Sequence, residues 1–281
     1  MTTFHSSKFP ILIIGGTGKT GRRVGERLAA RGLPVRIGSR NASQAFDWEN
    51  PATWAVALEG VSAAYITYYP DLAVPGAAQA VGDVARLAVR KGVKRLVLLS
   101  GRGEPEAQRA EQALQASGAD WTIVRASWFA ENFSESFFRD PILAGELALP
   151  VNGVREPFIH ADDIADVVVA ALTDKRHIGE LYEVTGPRLV TFAEATAEIA
   201  KATGRDIRFT TVSHDSFMQG PAANDVPADI AALIDELFRE VLDGRNEYVT
   251  DGVQRALQRA PRDFADFANA CAAGGTWEAS K

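Results

Sequence analysis

The sequence predicts an α/β fold, a doubly wound parallel β-sheet with a smaller substrate lobe in the C-terminal half. Short β-rich apolar runs alternate with longer stretches of helical periodicity, and a glycine cluster follows the first run. The alternation loosens after Arg125. The chain has 281 residues, 46% of them apolar and 23% charged, which is enough for a substantial core. We therefore interpret residues 1–281 as one domain, with a dinucleotide-binding core at about 1–125 and a mixed core and substrate lobe at about 126–281.

Six strands and four helices are predicted in the first half. The strands are Phe9–Ile14, Pro34–Gly38, Ala45–Asp47, Ala63–Thr67, Arg95–Ser100 and Trp121–Arg125. The helices are Lys19–Arg31, Pro51–Leu58, Val74–Lys91 and Glu104–Ala116. A continuous apolar run such as the first strand suits burial on both faces, as in a parallel sheet. Strands that alternate with helices imply right-handed crossovers between parallel neighbours.

The second half predicts further elements around an aromatic-rich stretch, Trp128–Phe138. The predicted helices are Asp162–Leu172, Thr191–Gly204, Val226–Leu242 and Pro261–Ala273, and a further strand is expected at Leu181–Val184. Thr191 and Glu194 have the spacing of a capping box at a helix start.

The composition excludes several classes of function. One Cys and four His, without a close ligand pair, argue against a disulfide scaffold or a metal site. The net charge is −6 and the basic residues are scattered, so no nucleic-acid surface is expected. No apolar run approaches the roughly 18 residues of a membrane span, and the N-terminus lacks the apolar core of a secretory signal. We expect a cytoplasmic protein that acts on a small molecule, without a membrane partner.

The strongest motif is the glycine-rich segment GGTGKTG that directly follows the first predicted strand. Glycines at positions 15, 18 and 21 stand at a strand-to-helix turn. Glycine permits a tight turn and close approach of the backbone to a pyrophosphate, and the helix N-terminus offers N–H groups to the negative charge. The motif predicts a Rossmann-type dinucleotide site; a purely structural turn is the alternative.

The end of the second strand predicts which dinucleotide binds. NAD-preferring sites carry an acidic residue there for the ribose 2′-OH, whereas this chain continues with Ser39 and Arg40. Both suit a 2′-phosphate, and Lys19 adds positive charge, so NADP(H) is favoured over NAD(H). Asp47 is placed to meet the adenine amino group. The predicted cofactor residues are Gly15, Thr17, Gly18, Lys19, Thr20, Ser39, Arg40, Asp47, Thr67, Ser100 and Gly101; for Arg40, a solvated loop position is the alternative.

The acid used by carbonyl-reducing short-chain dehydrogenases is missing. Those enzymes carry Tyr-x-x-x-Lys, but the residues four positions after the five Tyr are Tyr, Leu, Ala, Gly and Gly. Ser100 ends the fifth strand, where such enzymes place a helper Ser, but no Tyr follows it in the next helix. A nucleotide-sugar epimerase needs the same pair and is therefore excluded. No catalytic residue is assigned.

Candidate substrate residues follow the carboxyl ends of predicted strands, where ligands of doubly wound sheets bind. They are Tyr68, Tyr69, Trp128, Phe129 and Asn132. For the aromatic side chains the alternative is ordinary core packing, and for Asn132 it is a local hydrogen bond to the backbone.

Several segments resemble one family. These are GGTGKTG, LVLLSGRGEPEAQ (96–108), SGADWTIVRASWFAENFSE (117–135), EPFIHADDIADV (156–167) and GPRLVTFAEATAEIAKATG (186–204). The chain is similar, from about residue 9 to 277, to NmrA-like atypical short-chain dehydrogenases of the ergot-alkaloid reductase (festuclavine/agroclavine dehydrogenase) type and their bacterial relatives. At Ala126 these relatives often have Pro.

The resemblance implies an NADPH-dependent oxidoreductase whose acceptor is an iminium, a quinone or an azo compound. An iminium already carries positive charge and takes hydride without an acid, which fits the missing Tyr and Lys. The alternative from the same family is a redox sensor that binds NADP(H) without catalysis. The substrate and the oligomeric state are not predicted.

Overall fold

The alternating runs fold as predicted into a parallel sheet. The computed structural model describes residues 9–223 and 227–278. The strands are β1 Ile11–Ile14, β2 Val35–Gly38, β3 Ala63–Ile66, β4 Arg95–Gly101, β5 Asp120–Ala126, β6 Glu146–Leu149, β7 Arg155–Glu156, β8 Glu180–Val184, β9 Val190–Thr191 and β10 Arg208–Thr211. The helices are α1 Lys19–Ala30, α2 Trp54–Ala57, α3 Ala77–Arg90, α4 Pro105–Gln115, α5 Arg139–Ala144, α6 Ala161–Thr173, α7 Phe192–Thr203, α8 His214–Ala223, α9 Ala228–Glu240, α10 Gly252–Leu257 and α11 Phe264–Ala273.

The main sheet has six strands in the order β2-β1-β3-β4-β5-β8, and every pairing is parallel. All four residues of β1 are buried, as expected for a strand covered on both faces. β1 lies between β2 and β3, with Ile13 opposite Ile37 on one side and Tyr65 on the other. The strand order therefore changes direction beside β1, the topological switch point where ligands bind in such folds.

One predicted strand is wrong. Ala45–Asp47 forms no strand because its backbone groups are used locally: the Phe46 N–H donates to the Ser39 carbonyl at 3.1 Å, and the Asp47 N–H to Thr53 Oγ1 at 3.0 Å. Phe46 is instead buried against Trp rings that follow it. The sixth strand of the sheet is β8, which coincides with the further strand expected at Leu181–Val184.

The chain forms two compact units. Unit 1 comprises the described residues up to Ala126, with Ala161–Val184 and Gly252–Arg259; unit 2 comprises Ser127–His160, Thr185–Asp251 and the described residues from Ala260. Unit 1 thus takes α6, β8 and α10 from the second half of the sequence. The interpretation of residues 1–281 as one domain stays a prediction.

Ion pairs attach α6 to the first helix of unit 1. Arg23 contacts Asp162 at 3.1 Å, and Arg27 contacts Asp162 and Asp166, both at 2.7 Å. Arg259, after α10, contacts Asp166 at 2.7 Å. The acidic first turn of α6 therefore pairs with basic side chains in addition to its favourable position beside the helix dipole.

Unit 2 has its own core, rich in aromatic rings. Phe133, Phe138, Phe192 and Trp277 are almost completely buried within it. The predicted capping box at the start of α7 is confirmed, since the side chains of Thr191 and Glu194 accept each other's backbone N–H. The predicted helix Val226–Leu242 begins outside the described residues, and α9 covers most of the remainder.

Candidate active site

The glycine-rich turn between β1 and α1 forms a cradle of backbone. Gly15 has a φ of +74°, which glycine adopts without strain. Gly18, the N-cap residue of α1, donates its N–H to the Gly15 carbonyl oxygen at 2.9 Å. A Cβ on Gly21 would lie 2.2 Å from the same oxygen, so the helix approaches the turn as closely as only glycine allows. This shape, with the helix N-terminus behind it, fits a dinucleotide pyrophosphate.

Two predicted cofactor residues, Thr20 and Thr67, use their hydroxyls to support this turn. The Tyr65 hydroxyl donates to Thr20 Oγ1 at 3.0 Å inside the core. Thr67 Oγ1 donates to the Ile14 carbonyl oxygen, also at 3.0 Å. Burial raises the pKa of Tyr65, which therefore stays protonated at neutral pH. The Thr20 hydroxyl oxygen thus accepts a hydrogen bond from a buried tyrosine.

The end of β2 carries the residues predicted to select the cofactor. Thr17 and Ser39 line one groove of about 610 Å³ along this edge strand. Arg40 is exposed, and its guanidinium carbon lies 5.4 Å from the centroid of the Tyr69 ring. The structure therefore brings the basic side chain after β2 close to an aromatic residue after β3, and the contact of Arg40 with the cofactor stays a prediction. Lys19 stands in the first turn of α1.

Asp47 lies in a turn before the short helix α2. Its Oδ1 accepts the N–H of Glu49 at 3.1 Å, and its carbonyl oxygen accepts the indole N–H of Trp54 at 2.7 Å. The side chain therefore forms a local Asx-type turn. Its contact with adenine stays a prediction.

Ser100 and Gly101 end β4 as predicted, but the Ser100 hydroxyl belongs to a buried charge network. Ser100 Oγ donates to Glu111 Oε1 at 2.6 Å. Glu111 also accepts from Arg125, with Nε at 2.9 Å, and Arg125 reaches Glu183 at 3.3 Å. The hydrogen bond and charge of Glu111 raise the pKa of Arg125 against the opposing effect of burial. The network ties β4, α4, β5 and β8 together.

The two candidate tyrosines after β3 have different environments. Tyr68 is half-buried and packs on Trp48, with ring centroids 4.7 Å apart. Burial, and then the negative charge of Glu49, raise its pKa, which disfavours Tyr68 as a source of protons. Tyr69 is 64% exposed and stands beside Arg40. Both remain candidates for contact with ligands.

Sequence reasoning missed a pair of acids at the same edge of the sheet. Asp71 follows β3 and Glu104 follows β4, and their carboxyl groups lie close enough for each to shift the pKa of the other. Two acids a few residues after neighbouring parallel strands are the signal that would have found them, because the carboxyl ends of such strands share one edge.

In unit 2, Trp128 is partly buried and packs against the aromatic core. Its ring lies 5.4 Å from that of Phe238, 6.0 Å from that of Phe192 and 6.5 Å from that of Phe138. These contacts are those of core packing, and contact of Trp128 with a substrate stays a prediction.

Phe129 precedes a short 3₁₀ turn, Ala130–Phe133, and Asn132 lies within it. Phe129 pairs with Ile159 through the backbone, and both Phe129 and Asn132 are partly exposed. Between them Glu131 is 1% exposed and contacts His160 Nδ1 at 2.8 Å. The roles of Phe129 and Asn132 toward a substrate stay predictions.

The next findings concern residues 9–223 and 227–278, the ranges that the structure describes. Within them no group of three His, Cys, Asp or Glu side chains is arranged to hold a metal ion. No helix there combines the length and apolar character that a membrane span requires.

Comparison with known proteins places this geometry in a family. A model described as NAD(P)H-binding matches residues 15–175. The uncharacterized oxidoreductase YesF of Bacillus subtilis is 32% identical, over 94% of this chain and 96% of the relative. An NAD(P)H azoreductase of Xenophilus azovorans is 30% identical (94% and 98%), and an agroclavine dehydrogenase of Claviceps fusiformis is 30% identical (92% and 95%).

Solved structures confirm the predicted fold. A Staphylococcus aureus protein titled a nucleoside-diphosphate-sugar epimerase superposes with a TM-score of 0.78 at 20% identity, covering 92% of this chain and 99% of that one. At this identity the likeness concerns the fold alone, and the sequence lacks the Tyr-x-x-x-Lys of epimerases. The resemblance seen in the sequence segments is confirmed. The chain belongs to this family of NAD(P)H-binding proteins and is an NAD(P)H-dependent oxidoreductase.

Proposed function

We propose that this oxidoreductase uses NADPH to reduce a small activated acceptor of the quinone, azo or iminium class. The observation that carries the proposal is the absence of the usual carbonyl-reducing acid. No Tyr has a Lys four positions later, and the Ser100 hydroxyl at the helper position donates to Glu111 at 2.6 Å. Simple ketones need such an acid during reduction, whereas activated acceptors take hydride readily.

In this proposal the residues of the chain bind and orient the cofactor. The cradle Gly15–Gly18 and the N-terminus of α1 would hold the pyrophosphate, and Ser39 and Arg40 the 2′-phosphate. Bound NADPH supplies hydride. Tyr69, with Arg40 over its ring, would contact the adenosine half. Gly101 and Thr67 stand at the carboxyl edge of the sheet, where nicotinamide is expected.

Turnover on a panel of acceptors tests the reaction. NADPH oxidation is followed by absorbance with menadione, an azo dye and a preformed cyclic iminium, and a simple aryl ketone serves as control. We expect oxidation with at least one activated acceptor and much slower oxidation with the ketone, because the chain lacks the Tyr-x-x-x-Lys acid that efficient ketone reduction needs. Tight NADPH binding without oxidation by any acceptor would favour the redox sensor instead.

Cofactor preference is tested with Arg40→Ala. Losing a charge-assisted hydrogen bond costs about 1.5–3 kcal/mol, so we expect NADPH affinity to fall about 10- to 100-fold while NADH affinity stays unchanged. Arg86→Ala is the control, because Arg86 lies on α3 and contacts Asp83 at 2.7 Å. An unchanged NADPH/NADH ratio in Arg40→Ala would show that Arg40 does not bind the 2′-phosphate.

A further inference from the structure

The pair of acids at the carboxyl edge of the sheet lies beside a predicted cofactor residue. Asp71 follows β3 and Glu104 is the N-cap residue of α4, after the neighbouring strand β4. The Glu104 carboxyl lies flat on Gly101: a Cβ added there would be 2.1 Å from its Oε1 and 2.3 Å from its Oε2. The acid therefore stands where the nicotinamide end of the cofactor is expected.

A hydrogen bond between the two acids requires a proton. A carboxylate only accepts hydrogen bonds, so two carboxyl groups bond to each other only when one is protonated. Asp71 Oδ1 accepts the backbone N–H of Ala73 at 2.9 Å, and the N–H of Leu72 also stabilises its charge. Asp71 is thus the better carboxylate, and Glu104 is the better site for a proton.

The surroundings of Glu104 favour its neutral form. Burial, followed by the negative charges of Asp71 and Glu111, raises the pKa of Glu104 well above its usual range. Burial raises the pKa of Asp71 as well, against the backbone hydrogen bonds. Glu111 is occupied by Arg125 and Ser100, so its charge is already paired.

Glu104 also keeps unused hydrogen-bonding capacity. Among the described residues its Oε2 has no hydrogen-bond partner although it is buried. Glu104 does not cap α4 with its side chain, the usual role of a polar N-cap residue. A partly buried acid that does not cap its helix, and whose buried Oε2 receives no donor, fits a group that exchanges a proton with a ligand.

We propose that Glu104, paired with Asp71, is the proton donor of the reduction, an inference that rests on the function proposed above. When a quinone or azo acceptor takes hydride, and with it two electrons, the O–H bond of Glu104 breaks and its proton forms an O–H or N–H bond on the acceptor. Glu104 is left as a carboxylate and regains a proton from water. An iminium consumes hydride alone, since the cation becomes a neutral amine, and needs no proton.

This difference between acceptors supplies the kinetic test. Glu104→Gln keeps the shape and removes the proton; Glu106→Gln, two residues further on at a salt bridge to Arg109, is the matched control. Single-turnover rates are measured with menadione, an azo dye and a preformed cyclic iminium. We expect Glu104→Gln to slow the first two by about 10²-fold or more, the usual contribution of a general acid, and to leave the iminium rate unchanged. Glu106→Gln should change none of them.

Three kinetic results would overturn the proposal. Equal slowing of all the acceptors by Glu104→Gln would make Glu104 a positioning residue, and unchanged quinone and azo rates would place the donor elsewhere. If wild-type protein reduces none of them, the reductase function fails and the donor role fails with it.

A measurement without turnover detects the proton itself. The infrared C=O band of a protonated carboxylic acid should be present in the wild-type protein at neutral pH, absent in Glu104→Gln and present in Glu106→Gln. If Glu104→Gln does not fold, Asp71→Asn replaces it: losing the neighbouring negative charge should move the disappearance of the band to lower pH. A wild-type spectrum without a band assignable to Glu104 would contradict the proposal even if the reductase function holds.

Discussion

Replacing glycine by alanine should have opposite effects at two positions of α1, Gly21 and Gly25. A Cβ on Gly21 would lie 2.2 Å from the Gly15 carbonyl oxygen and 2.8 Å from Gly16 Cα, whereas a Cβ on Gly25 would meet only the Ile37 and Val35 side chains, at 3.6 and 3.8 Å. The first contacts are main-chain atoms that cannot rotate away. The second are ordinary van der Waals distances.

The magnitudes follow from these distances. Ordinary C···O contacts lie at about 3.3 Å, so in Gly21→Ala the helix and the turn must separate by roughly 1 Å. Overpacking of this kind costs about 1–3 kcal/mol. Gly25→Ala introduces no clash and removes the cost of glycine in a helix interior, so it should stabilise by about 0.5–1 kcal/mol.

Urea unfolding and NADPH titration measure both consequences. We expect Gly21→Ala to lower the free energy of unfolding and to weaken NADPH binding by about tenfold or more, which corresponds to about 1.4 kcal/mol, because the displaced turn is the pyrophosphate cradle. Gly25→Ala should bind NADPH normally and unfold at higher urea. Normal stability and binding in Gly21→Ala, or an equal loss in both variants, would refute the reasoning from these contacts.

Two further predictions concern charges in unit 1. Glu111→Gln should lower the free energy of unfolding by about 3 kcal/mol because it breaks a buried pair with Arg125, whereas Glu106→Gln at an exposed pair should cost at most about 1 kcal/mol; similar urea midpoints would contradict this. Folding raises the pKa of Glu104 above its value of about 4.3 in the unfolded chain. The resulting contribution to stability is complete below that unfolded pKa, and it is lost as the pH rises through the pKa of the folded protein. Glu104→Gln should therefore flatten the decline of stability with pH, and parallel wild-type and variant curves would show that Glu104 titrates normally.

Local patterns were sufficient to predict the glycine-rich turn and one helix start. The turn at Gly15–Gly18 was predictable because tight turns restrict residue type within a few positions, and the capping box at Thr191 is equally local. The prediction of a strand at Ala45–Asp47 was wrong because backbone N–H groups of this short segment bond to Ser39 and Thr53 instead of to a neighbouring strand. A local strand pattern gives no information about these bonds.

Contacts between distant segments depended on the tertiary structure. The Ser100 hydroxyl could be placed at the end of a strand, but its partner Glu111 follows only from how α4 packs on β4.

The sequence by itself determined the doubly wound fold, the cofactor class and the missing Tyr-x-x-x-Lys acid, because each is written in short segments of chain. The tertiary structure decided which later segments, α6, β8 and α10, complete unit 1, and it brought Asp71 and Glu104 together across neighbouring strands. The physical reason is that side-chain protonation depends on burial and on charges from other elements, which no local pattern specifies.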